Sequence, residues 1–105
     1  MSADNSNILS DEINEKITII EQEIEWANFH EYTFMDAVKA LNSTDSDELD
    51  IKYAKNVINE FNKSVVIVEK YTNELKAALP VDKLDMLTDY INFISTHREI
   101  INGCQ

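Results

Sequence analysis

Residues 51–79, IKYAKNVINEFNKSVVIVEKYTNELKAAL, decide the fold. Ile51, Ala54, Ile58, Phe61, Val65, Val68, Thr72, Leu75 and Leu79 recur at spacings of three and four. That alternation lays one apolar stripe along a helix and is the seam spacing of a coiled coil. Only Thr72 interrupts it. A strand would instead need alternation at every second residue, and nothing here alternates that way.

The pattern extends on both sides. Upstream it reads Ile13, Ile17, Ile20, Ile24, Ala27, Glu31, Phe34, Val38 and Leu41, and downstream Leu84, Leu87, Ile91, Ile94, Arg98 and Ile101. The punctuation falls between the stripes. Ser10 is a candidate cap for the first helix, with Asp11 and Glu12 favourably placed near its positive end. Residues 42–46 (Asn-Ser-Thr-Asp-Ser) form a polar turn, and Asp45 followed by Glu48 resembles a capping box. Pro80 disfavours helical geometry at Leu79, Asp82 suits the cap of a third helix, and Gly103 is a natural stop. With one Gly and one Pro in 105 residues, a loop-rich or all-β fold is excluded. The expectation is an all-α, up-down-up antiparallel three-helix bundle with coiled-coil-like packing, a disordered tail at 1–9 and one domain at 10–105.

Helix lengths give that bundle an uneven end. The first two helices span roughly 45 Å each and the third about 30 Å. The third therefore falls short of the 42–46 turn, and Phe34, Met35, Val38, Leu49, Ile51 and Tyr53 become candidates for self-association, with a homodimer as its simplest form. The third helix also carries a second apolar row, Met86, Tyr90, Phe93, His97 and Ile100, suited to packing against two neighbours. Phe61, Ile58 and Ile91 are expected at the centre. Glu31 and Arg98, the charges on two parallel stripes, are expected to form an interhelical ion pair.

Charge is uneven too. The net charge is −11, and residues 1–31 contain Asp4, Asp11, Glu12, Glu15, Glu21, Glu23, Glu25 and Glu31 against Lys16 alone. Asp45, Asp47, Glu48 and Asp50 crowd the turn. Such a surface suits a basic partner and repels nucleic acid, whose phosphates need clustered Lys and Arg. Within 25–32 (Glu-Trp-Ala-Asn-Phe-His-Glu-Tyr), helical phase puts Phe29 opposite the core with Trp26 and Tyr32 to either side. Aromatic rings beside carboxylates are the composition of binding hot spots. The candidate partner-binding set is therefore Glu23, Glu25, Trp26, Phe29, Tyr32, Asp45, Asp47, Glu48 and Asp50.

No catalytic or metal-binding pattern is present. Neither His30 nor His97 has Glu three residues before it, no HExxH occurs, and the one Gly cannot build a phosphate loop. No cofactor is implied. Cys104 cannot form an intramolecular disulfide, residues 1–10 lack a signal-like apolar run, and no stretch is long enough for a membrane span. A cytoplasmic setting is expected. The sequence reads as a non-enzymatic protein-binding module of the inhibitor, immunity or phage anti-defence type, blocking a basic groove on a target. The alternative is an adaptor, chaperone or structural subunit that self-associates through an apolar helical surface.

Overall fold

The 51–79 stripe becomes the spine of the molecule. In the computed structural model, which describes residues 11–104, a single helix α3 runs from Glu48 to Ala78. Ala54, Ile58, Phe61, Val65, Val68, Thr72 and Leu75 of the stripe are buried along it. Its start differs from the expected capping box. Asp47 is the cap, accepting the Asp50 N–H at 2.9 Å, because the two preceding serines already close the turn. Ser43 Oγ accepts the Asp45 N–H, and Ser46 Oγ donates to the Ala40 carbonyl. The helix ends at Leu79, whose extended backbone is what a residue before proline adopts.

The expected single first helix is instead two: α1, Asp11–Phe29, and α2, Glu31–Asn42. His30 separates them with φ −101° and ψ 16°, in the sparsely allowed bridge region. Around it the chain reads Trp26, Asn28, Phe29, His30, Tyr32 and Thr33, side chains that lose rotamer freedom or favour non-helical backbone. The interruption is local. His30 N–H still bonds the Trp26 carbonyl at 3.1 Å, and Phe34 N–H bonds that of His30 at 3.0 Å. Contacts from α1 to the spine run in reverse order, with Lys16 at Glu74, Glu23 at Ser64 and Trp26 at Phe61, so the two are antiparallel.

After Pro80 the chain does not enter an α-helix at Asp82. Residues Val81–Leu87 form a 3₁₀ helix, and α4 follows at Thr88–Gly103. Leu84, Leu87, Tyr90 and Phe93 are spaced by three, and a 3₁₀ turn of three residues keeps such a row in line. The helix therefore enters with Leu87, Tyr90, Phe93, His97 and Ile101 buried. Ile91, expected at the centre, is 41% exposed, whereas Ile58 and Phe61 are buried as expected. The 3₁₀ rise of about 2.0 Å per residue also lengthens this arm to about 38 Å overall. Its end, Cys104, consequently reaches a pocket shared with Leu41, Lys55 and Ile58. Phe34 is thus covered: it is fully buried, stacked on Phe61 with centroids 4.3 Å apart, and drops out of the self-association set.

The same rotation of α4 dissolves the expected Glu31–Arg98 pair. His97 turns inward to Glu31, with Nε2 3.4 Å from Oε1, while Nδ1 lies 3.0 Å from the Phe93 carbonyl. Arg98 faces the flank of α3 and binds Glu69. All the described residues are helix or connection, with no strand among them, in a rod of 63 × 19 × 17 Å. The expected tail at 1–9 and the Ser10 cap lie outside the described residues.

Candidate interaction surface

The break at His30 organises the largest group of exposed aromatic rings. Phe29, the last residue of α1, is 83% exposed, and Tyr32, in the first turn of α2, is 89% exposed. His30 links Phe29 to the core side. Its ring meets Phe29 edge-on at 5.0 Å and Trp26 at 4.9 Å. Trp26 in turn packs on Phe61 at 5.0 Å and is 37% exposed, so it belongs partly to the core and partly to this surface. Between Trp26, His30, Thr33, Val57 and Phe61 lies an apolar dimple of 130 Å³, edged by Glu60. It is large enough for one aliphatic side chain.

The acidic candidates divide by what holds them. Glu23 is turned into the fold, accepting from Ser64 Oγ at 2.9 Å, and is not a free docking group. Glu25 is exposed, and its carboxylate has no hydrogen bond or ion pair among the described residues. At the hairpin end, Asp45, Asp47, Glu48 and Asp50 are all exposed. Asp47 serves as helix cap, and Glu48 and Asp50 occupy the first turn of α3, where carboxylates favour the helix dipole. Much of the acidity of the turn is therefore explained by the start of a helix. On this face the sequence reading passed over Asp36, which is exposed, has no side-chain partner among the described residues and stands one turn beyond Tyr32. Its four-residue spacing from an exposed ring was the available signal.

The self-association candidates also divide. Val38 and Ile51 are half-buried, and Met35 is partly exposed. Leu49 at 76% and Tyr53 at 63% exposure stand one turn apart on α3 beside an open groove lined by Glu48, Ile51, Lys52 and Lys55. This is the part of the spine beyond the reach of α4.

Chemically, the surface offers apolar rings, carboxylates and a small dimple. Among the described residues no group of three or more His, Cys, Asp or Glu stands close enough to hold a metal ion. Burial pushes the Cys104 thiol above its ordinary pKa, which leaves it less nucleophilic. No helix among the described residues is long and apolar enough to cross a membrane. Comparison with protein-family models, curated proteins and solved structures finds no match.

Proposed function

We propose that this chain is a non-enzymatic, acidic protein-binding module. It docks the face around the His30 break on a basic groove of a target protein, in the manner of an inhibitor, immunity or phage anti-defence protein. In this reading α1 and α2 act as one interrupted arm of an up-down-up bundle, and a single thiol fits a reducing, cytoplasmic setting. The observation that carries the proposal is the exposure of Phe29 and Tyr32 at mid-rod. Phe29 meets the His30 ring edge-on and Tyr32 meets no ring among the described residues, so two large rings stand mostly in water beside exposed carboxylates, and they match the composition of interface anchors. The test is capture of the target from host lysate at low and high salt. Binding should weaken steeply as salt rises and fall further with Phe29→Ala or Tyr32→Ala. Capture that ignores both salt and these substitutions overturns the proposal.

A second reading rests on Leu49 and Tyr53, adjacent and exposed at the hairpin end. It makes the chain a structural or adaptor subunit that self-associates there. Light scattering separates the two, since this reading requires a salt-insensitive dimer or larger assembly without any partner. Leu49→Glu should dissociate it.

A further inference from the structure

Four side chains at the break form an ordered row. Glu25, Phe29, Tyr32 and Asp36 follow one another at intervals of four, three and four, and all are exposed. At about 100° per residue they fall within an arc of roughly 60°, and the hydrogen bonds carried across His30 preserve that phase. The row reads carboxylate, ring, ring, carboxylate over about 16 Å. Among the described residues none of its carboxylates or its phenol takes a hydrogen bond or ion pair, and Tyr32 has no ring neighbour. Lys39, one turn beyond Asp36, bounds the row at that end.

We infer that this row binds two arginine side chains of a partner helix, one guanidinium between Glu25 and Phe29 and the other between Tyr32 and Asp36. The inference rests on the docking reading above and gives its partner a chemistry. A guanidinium stacks flat on an aromatic face while its edge donates to a carboxylate, so each ring–acid pair, one helical turn apart, supplies both halves of its recognition. An ammonium has no planar face to stack and keeps its water more tightly. Nucleobases stack on exposed rings as well, but the flanking carboxylates repel the phosphates that accompany them. The midpoints of the two pairs are seven residues apart, about 10 Å along the helix. An arginine pair at i and i+7 on a partner helix has that same separation. The neighbouring apolar dimple then receives an aliphatic side chain from the same helix.

The experiment uses the full chain and fluorescently labelled, alanine-based helical peptides, read by anisotropy. One peptide carries arginines seven residues apart, a second carries lysines at the same places, and a third carries arginines five apart, on opposite faces. The first should bind at least about fivefold more tightly than either of the others. Phe29→Ala and Tyr32→Ala, with helicity verified by circular dichroism, should each remove that advantage. Glu25→Gln with Asp36→Asn should weaken the arginine peptides most. Equal binding of the arginine and lysine peptides, indifferent to both ring substitutions, overturns the inference and leaves docking of the acidic surface standing. Binding of none of the three overturns it as well, and the docking reading then fails or survives separately on salt-dependent capture of its target.

Discussion

Arg98 grips Glu69 with both ends of its guanidinium, Nη1 to Oε2 at 2.6 Å and Nη2 to Oε1 at 2.9 Å. The pair ties α4 to the flank of the spine. The Arg98 hydrogen bonds hold the Glu69 carboxyl below its ordinary value of 4.5. A carboxyl with a depressed folded pKa contributes stability that is present above its unfolded pKa and lost as pH falls through the folded one. Both side chains are more than a third exposed to water, which screens the attraction. Arg98→Met should therefore cost only about 0.5–1 kcal/mol at neutral pH. In urea titrations the difference from wild type should vanish well below pH 4.5. A difference that persists in acid would assign the cost to packing.

Core truncations should separate the two residues that the stripe count treated alike. Phe61 is buried between the rings of Phe34 and Trp26, whereas Ile91 lies at the edge of α4. Phe61→Ala should destabilise by about 3–5 kcal/mol, and Ile91→Ala by less than about 1 kcal/mol. Chemical denaturation followed by circular dichroism measures both.

Tyr90 is buried, and its hydroxyl donates to Glu21 Oε2 at 3.1 Å, joining α4 to α1. Desolvation first, then the Glu21 hydrogen bond and charge, push its pKa from 10.0 up to about 12. In ultraviolet titration a tyrosine ionisation step should appear well above pH 10. Because the raised value belongs to the folded state, this contribution to stability is complete below pH 10 and declines as pH rises towards 12. Tyr90→Phe should remove both the late titration step and that part of the alkaline loss.

Thr72 Oγ1 is buried and has no hydrogen-bond partner among the described residues. Valine has nearly the same shape and no hydroxyl to leave unsatisfied. Thr72→Val should stabilise the protein by about 1 kcal/mol, raising the urea midpoint without changing the slope. A loss of stability would mean that the hydroxyl finds a partner in solution.

The spine was almost wholly legible in the sequence, because one stripe broken only at Thr72 leaves a helix no choice of face. Where two periods compete, legibility ends. Counting residues 84–101 by α-helical spacing puts Ile91 and Arg98 inside. The three-residue spacing of Leu84, Leu87, Tyr90 and Phe93 was equally present, and the chain after Pro80 starts as a 3₁₀ helix over Val81–Leu87 before the α-helix begins at Thr88. From that single difference in phase follow the partners of Glu31 and Arg98, the cover over Phe34 and the edge position of Ile91. On the proposed docking face, the outward placement of Phe29 and Tyr32 was readable from helical phase alone. Glu23 turned inward because a carboxylate near the edge of a helix turns to whatever donor faces it, here Ser64 of α3, which lies off the apolar stripe.

The interruption at His30 has a consequence for motion. A helix of 12 residues, as α2 is, gains little from its own hydrogen bonds in water and persists because it lies on α3. Fraying that starts from the 43–46 loop can therefore travel through α2 and stop at the bend, where α1 begins afresh on its own contacts. Backbone amides should then fall into two populations in deuterium. Those of Ala37–Leu41 should exchange together and early, and those of Ile20–Ala27 late, near the limit set by global unfolding. The rod would breathe from one end only, with the exposed rings of Phe29 and Tyr32 at the boundary between its quiet half and its restless one.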